Sequence, residues 1–371
     1  MESSNSKIMS LQALRALAFL GIFLSHTNCS IQWPWLGVST FFVLSGFLMM
    51  RKDIGGGQQF NISFKNNIKF SIKKIKKIYI LHIITMILAI GLEVMQKEYT
   101  IKAIVILLVK IILNITLLQT WIPKSNINVS LNGVAWYLSV TLFLYFMFPY
   151  ISRFIKTKKL KSLLYISVLI LFLQTFLCIP FIMLKIGPSV YTWFMYYFPV
   201  FRLGDFFIGC CLYEFYFNYN FSMDKRLYSI IELGAFIFTL LVEWYIKQNY
   251  TNVFLLSLQN MTTLFIPLSC IWVLLFAIKK GTITSILTNK ILIFIGDLSS
   301  YMFLIHYVIT QYTKFILQYY DIEVSGVYKI AIVVLQLISS ILIALLYKYG
   351  KNKTAKKFEN LFSSRAGGNT C

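Results

Sequence analysis

Long apolar runs recur from one end of this chain to the other. Each is about 18 to 25 residues long, the length that an α-helix needs to cross the hydrocarbon core of a bilayer. The 371 residues contain eleven such runs: 10–28, 34–51, 76–95, 101–121, 133–152, 161–183, 193–216, 228–246, 261–279, 291–313 and 326–348. The pattern predicts an all-α fold, a polytopic transmembrane bundle of ten or eleven spans embedded in a lipid bilayer.

The composition excludes a soluble protein. Hydrophobic residues make up 58% of the chain, charged residues 13%, and the mean hydropathy is +0.72. A soluble fold of that composition would expose large apolar patches. The formal net charge of +22 does not indicate a nucleic-acid partner, because Lys and Arg fall between the apolar runs. That distribution is typical of the basic loops that membrane proteins keep on one side.

Three basic clusters bear on the direction of the crossings: 51–77, 153–161 and the segment after 347. All three are expected on the cytoplasmic side. Strict alternation of eleven spans would put 153–161 on the opposite side. We therefore expect that one of the two runs between 78 and 121 does not cross completely. The prediction is ten full crossings in the plasma membrane, with both termini in the cytoplasm.

Two ionisable residues lie in the first apolar run, Arg15 and His26. The eleven steps between them make about three helical turns and a rise of about 16 Å, so both side chains lie on one helix face at different depths. One interpretation makes Arg15 a cytoplasmic flank and His26 an interfacial residue at the far end. The other makes them part of a polar path, because ionisable groups inside a bilayer are costly and mark functional sites.

Other polar residues interrupt later runs. Asp205 follows Arg202 by three residues and can pair with it on one helix face, either as a structural ion pair or as part of a site. His306 lies deep in YMFLIHYVI. Ser45 lies in STFFVLSGFLMM (39–50), where small and hydroxyl residues favour close helix packing or a pocket. The His and Cys residues have no metal-ligand spacing, so no metal is expected.

Six segments carry a recognisable set of motifs. They are Arg and His separated by ten residues in the first run, GVSTFFVLSGFLMM (37–50), KKIKKIYI (73–80), WYLSV (136–140), FRLGDFFIG (201–209) and GDLSSYMFLIH (296–306). In this order they resemble the acyltransferase-3 family of bacterial membrane acyltransferases. Two departures stand out. Thr141 occupies a position where the family often has Glu, and the basic run has Lys where the family usually has Arg, which keeps charge but loses bidentate geometry.

The resemblance implies one acyltransferase-3-like transmembrane domain over residues 1–348 and a basic cytoplasmic tail over 349–371. It also implies an O-acyltransferase without a metal. Such an enzyme moves an acetyl or other short acyl group from a cytoplasmic acyl-CoA, typically acetyl-CoA, to a hydroxyl. The acceptor would be a cell-envelope or exported polysaccharide, or a lipid-linked sugar.

The resemblance also suggests roles for individual residues. His26 would be the general base or the group that relays the acyl unit, because a sugar hydroxyl is a poor nucleophile and imidazole titrates in the useful range. Arg15 would take part in catalysis by binding a phosphate or carbonyl of the donor. Four lysines would attract the CoA phosphates, or would act only as topology anchors: Lys73, Lys74, Lys76 and Lys77. The residues expected to bind substrate are Ser45, Tyr137, Asp205 and His306.

Two other classes of protein compete with this interpretation. A transporter or exporter of a glycan or acylated small molecule would use the same charges without covalent chemistry, and inverted repeats would favour it. We find no clear internal repeat. A glycan polymerase typically carries a large extracytoplasmic loop, whereas the loops here are short. The acceptor glycan and its hydroxyl, acetyl as against succinyl transfer, and the oligomeric state stay open.

Overall fold

The computed structural model describes residues 8–27, 34–57, 60–96, 100–184, 187–248 and 264–366. Within these ranges the regular secondary structure is entirely helical. This confirms the all-α fold that the apolar runs predict.

The helices are numbered here in chain order. They are α1 Met9–His26, α2 Pro34–Gly56, α3 Phe64–Gln96, α4 Ile101–Ile115, α5 Ser125–Asn128, α6 Trp136–Lys156, α7 Leu160–Phe176, α8 Cys178–Met183, α9 Pro188–Thr192, α10 Pro199–Asn218, α11 Lys225–Gln248, α12 Phe265–Ile278, α13 Thr282–Leu287, α14 Lys290–Tyr319 and α15 Gly326–Ala366. Two 3-10 turns (Gln119–Trp121 and Gly133–Ala135) and one π-helical turn (Trp193–Tyr197) join some of them.

Eight of the described helices are long and apolar enough to cross a membrane: α1, α2, α3, α6, α7, α11, α14 and α15. The protein is therefore a multi-pass membrane protein. Three further helices fall on predicted spans without meeting these criteria. Helices α4 and α12 have only 15 and 14 residues, and α10 carries three ionisable residues. The predicted number of ten or eleven spans is not confirmed.

Helix α4 is too short to cross alone. Its 15 residues rise about 22 Å, less than the hydrocarbon core of about 30 Å. Its C-terminal end lies beside the middle of α3, where His82 Nε2 is 3.0 Å from Asn114 O. Helix α6 lies beside the beginning of α3, because Asn67 Nδ2 donates to Phe146 O at 3.2 Å. Together α4 and α6 follow the length of α3, and whether the segment between 78 and 121 crosses incompletely stays a prediction.

The three basic clusters meet at one end of the bundle. Lys156 Nζ lies 2.6 Å from Asp53 Oδ2, so the C-terminal ends of α2 and α6 are adjacent. Lys351 Nζ donates to Lys77 O at 2.5 Å, which brings α15 to the same place. We call the end of the bundle that carries Lys77, Lys156 and Lys351 the basic end. Their common location is what the positive-inside rule requires of one membrane side.

Glycines let the central helices approach closely. A Cβ on Gly46 of α2 would lie 2.1 Å from Phe206 O of α10, and one on Gly296 of α14 would lie 1.9 Å from Gln12 O of α1. Small residues at such crossings allow backbones to pack without an intervening side chain. Helix α2 thus packs closely on α10, and α1 packs closely on α14, which leaves Arg15 of α1 half-buried.

Candidate active site

A cavity of about 350 Å³ lies between α1, α2, α3, α6 and α14. Its size is at the lower end of ligand pockets, which run from about 300 to 1,000 Å³. Its apolar walls include Leu44, Leu48, Ile75 and Leu138. More than half of the lining residues carry a polar group, and these residues come from five different helices. The cavity therefore combines apolar walls with polar groups that converge from several helices, as small-molecule sites do.

Arg15 lines this cavity from α1. It is half-buried, and the Asp297 carboxylate of α14 acts on it electrostatically, as do the Tyr137 and Tyr145 side chains. A guanidinium in this position is held by its surroundings rather than by bulk water, because a charge inside a bundle needs compensating groups. This location supports the interpretation of Arg15 as part of a polar path.

The hydroxyl residues Ser45 and Tyr137 also line the cavity. Ser45 Oγ is 3.2 Å from the Tyr145 hydroxyl, which joins α2 to α6. The ring of Tyr137 stacks on Phe42 with centroids 4.6 Å apart. Both predicted residues therefore face the same space as Arg15, Ser45 from α2 and Tyr137 from α6.

The four lysines of the basic run separate into two pairs. Lys74 and Lys77 line the cavity, whereas Lys73 and Lys76 are exposed and outside its lining. Lys52 of α2 lines the same region and acts electrostatically on Lys74. The cavity thus extends from Arg15 to a lysine group at the basic end. Lys73 and Lys76, which are expected to attract the donor phosphates as well, face outward from the same stretch of α3.

His26 lies outside the cavity lining, toward the other end of α1. Its ring is half-buried and faces α14, with centroids 5.4 Å from His306 and 5.1 Å from Tyr307. It therefore points into the bundle rather than into lipid. Phe303 lies between, because its ring is 5.4 Å from Tyr137 on the cavity side and 6.0 Å from His306 on the other. The ring of Phe303 thus lies between the cavity that Arg15 lines and the His306–His26 pair.

His306 and Asp205, both predicted to bind substrate, are also outside the cavity. Asp205 is fully buried and pairs with Arg202, whose Nη1 is 3.0 Å from Oδ2, and Gln174 Nε2 donates to Oδ1 at 3.3 Å. The Arg202 guanidinium lies 5.4 Å from the centroid of Phe42, the ring on which Tyr137 stacks. This geometry favours a structural ion pair behind the cavity wall.

Sequence reasoning missed several residues of the cavity. Thr141 and Tyr145 line it with Tyr137. Their spacing of four residues, which places all three on one face of α6, was a usable signal. Lys52 was assigned only to a basic cluster, and Ser299, Ser300 and Tyr301 only to a motif. Among the described residues no group of three His, Cys, Asp or Glu side chains is placed to hold a metal ion.

Comparison with known proteins identifies the family. Residues 8–349 match the family described as "Acyltransferase domain", acyltransferase 3. No curated protein matches the chain, and no solved structure matches it. Because the family match covers nearly all of a helical, multi-pass chain, the protein belongs to the acyltransferase 3 family of membrane proteins.

Proposed function

We propose that this protein is an integral-membrane O-acyltransferase that uses acyl-CoA, typically acetyl-CoA, as its donor. The acceptor is a hydroxyl of a cell-envelope or exported polysaccharide, or of a lipid-linked sugar. The protein lies in the plasma membrane, with the basic end and both termini in the cytoplasm. The observation that carries the proposal is the cavity, which joins a lysine group at the basic end to an enclosed arginine.

The distribution of groups along the cavity suits a CoA thioester. Coenzyme A combines phosphates at one end with a long, weakly polar arm that ends in the thioester. Lys52, Lys74 and Lys77 are suitably placed for the phosphates, as point charges on flexible stems. The aliphatic walls suit the arm. Arg15 then lies along the path of the donor, where it would bind a phosphate or carbonyl oxygen of the CoA arm while the thioester continues toward His26.

His26 acts at the acceptor side. Its imidazole accepts the proton of the sugar hydroxyl as the oxygen attacks the thioester carbonyl, a new C–O ester bond forms, and the C–S bond breaks. The proton then passes to the leaving thiolate, so the products are the ester and free CoA. The rise between Arg15 and His26 is about 16 Å, so the two residues act on different parts of the reacting complex.

The rings of Phe303 and Tyr137 separate the cavity from His26 and must move during turnover. In the closed arrangement, the two rings would keep the thioester away from water and from the opposite side of the membrane. When the rings move apart, the acyl group would reach the imidazole of His26. Such gating by a few side chains is common where a reactive intermediate must be shielded.

The purified protein in lipid nanodiscs provides the test. Acetyl-CoA labelled in the acetyl group is supplied with envelope glycan, and both ester formation and free CoA are measured. Wild type should form an alkali-labile ester. His26→Ala should abolish transfer while acetyl-CoA still binds, and Arg15→Ala should weaken both. Normal transfer by a correctly inserted His26→Ala protein would refute the assignment of the base.

The acceptor is identified separately in cells. Envelope glycans from a deletion strain and from wild type are compared by NMR before and after mild alkali. The loss of one alkali-labile ester would identify the acyl group and the sugar position. An unchanged set of esters, together with export of an unmodified solute, would instead favour the transporter.

A further inference from the structure

His306 has a buried nitrogen atom without a hydrogen-bond partner. The side chain is 0% exposed, and Nδ1 lies 3.0 Å from the Met302 carbonyl oxygen one turn earlier. A carbonyl only accepts, so Nδ1 carries the hydrogen and Nε2 of the neutral ring is an acceptor. Among the residues that the structure describes, none donates to Nε2. A buried acceptor left unsatisfied costs about 1–3 kcal/mol, so this atom requires an explanation.

Of the described rings that pack on His306, that of His26 is the one with a hydrogen-bond donor. Phe19, Phe23 and Phe303 pack around it with centroids 5.5, 6.0 and 6.0 Å away. None of them donates a hydrogen bond, and a charged ring in this apolar setting would be costly to bury. The remaining ring is His26, with its centroid 5.4 Å away and its plane tilted by 45°.

The separation allows a direct hydrogen bond. Ring centroids 5.4 Å apart are compatible with a nitrogen–nitrogen distance of about 3 Å, the length of such a bond, when one nitrogen of each ring points at the other ring. Tyr307 packs edge-on against His26 at 5.1 Å and limits the ring to orientations facing α14. Two consecutive residues of α14, His306 and Tyr307, thus contact the imidazole of His26.

We propose that His306 is a positioning residue for His26. The N–H of His26 donates to Nε2 of His306, which selects one tautomer and leaves the lone pair of the other nitrogen directed at the acceptor hydroxyl. A carboxylate or backbone carbonyl commonly orients a catalytic imidazole in this way; here a neutral imidazole does so. The proposal rests on the proposed role of His26 as the base.

The test compares three variants in nanodiscs. His306→Phe keeps an aromatic ring but removes the acceptor, and His306→Gln keeps an acceptor oxygen. His82→Phe is the matched control, because His82 is also fully buried and bonded to a carbonyl oxygen. Readouts are kcat, the KM for acetyl-CoA and the rate at which diethyl pyrocarbonate modifies His26, followed by mass spectrometry. The chain has only three histidines, so the assignment is unambiguous.

We expect His306→Phe to lower kcat by about 10- to 100-fold, the range found when the outer partner of a metal-ligating imidazole is removed and taken here for a base oriented in the same way. The KM for acetyl-CoA should stay within about two-fold, because His306 does not line the donor cavity. The modification rate of His26 should change in His306→Phe, return toward wild type in His306→Gln and stay unchanged in His82→Phe.

Two results would overturn the inference. One is an unchanged His26 modification rate and kcat in His306→Phe. The other is found in wild type itself, where ¹⁵N-histidine NMR would show hydrogen on Nε2 of His306 rather than on Nδ1. The NMR measurement does not depend on whether a variant folds. An active His26→Ala protein would defeat the proposed function, whereas an inactive His26→Ala beside a fully active His306→Phe would defeat only this inference.

Discussion

The separation of the basic run into two lysine pairs makes the donor site testable with charge-matched variants. Lys74→Ala/Lys77→Ala removes two charges that line the cavity, and Lys73→Ala/Lys76→Ala removes two charges from the same helix outside it. Both double variants lower the net charge equally. A difference between them therefore reports position rather than general electrostatic attraction.

The expected loss of acetyl-CoA affinity in Lys74→Ala/Lys77→Ala follows from the burial of the two lysines. Lys77 is exposed, and contacts of that kind contribute about 0.2–1 kcal/mol. Lys74 is half-buried, and a hydrogen bond to a charged group there contributes about 1.5 kcal/mol or somewhat more. The sum of about 2 kcal/mol corresponds to roughly a 30-fold increase in the Kd for acetyl-CoA. The control pair should change the Kd by less than about two-fold at 0.15 M salt, where screening acts over about 8 Å.

Isothermal titration of the nanodisc-embedded proteins with acetyl-CoA measures both values. Repeating the titration with a dephospho analogue should reduce the difference between the two double variants, because one set of phosphate contacts is then absent. Equal losses of affinity in both double variants would refute the reasoning, since only net charge would then matter. So would an unchanged Kd for Lys74→Ala/Lys77→Ala.

Two further variants, each with a control, test the barrier that Phe303 forms between the cavity and His26 and the close approach of α2 to α10 at Gly46. Phe303→Ala should increase the hydrolysis of acetyl-CoA in the absence of acceptor, measured as free thiol. The control Phe47→Ala removes a buried phenylalanine that packs on α10 and should lose a similar stability of about 3–5 kcal/mol without the extra hydrolysis. Hydrolysis at the wild-type rate in Phe303→Ala would argue against Phe303 as a barrier between the cavity and His26. Gly46→Ala should lower the unfolding temperature and the acetyl-CoA affinity, because its Cβ would lie 2.1 Å from Phe206 O and overpacking costs about 1–3 kcal/mol. A Cβ on Gly234 would have no atom within 4 Å, so Gly234→Ala should change neither the unfolding temperature nor the acetyl-CoA affinity. Equal unfolding temperatures for the two glycine variants would contradict the close approach of α2 to α10.

Much of the fold followed from local sequence. Apolar runs of span length predict helices wherever they occur, because a backbone in lipid must satisfy its hydrogen bonds within the segment. The excess of Lys between runs predicted that three clusters share one side, and the structure brings them to one end. The rise and turn of a helix placed Arg15 and His26 on one face before any packing was known.

The tertiary structure alone decided how these faces meet. Residues 73–77 carry lysines on several sides of α3, and only the position of α3 against α2 and α14 determines that Lys74 and Lys77 face the cavity. Residues His26 and His306 are 280 positions apart, and their contact depends on glycine crossings that set the distance between helices. Local periodicity specifies which residues share a helix face, but it contains no information about which face of another helix lies opposite. The separation of His26 from the cavity by Phe303 is likewise a property of packing, and no motif in the chain indicated it.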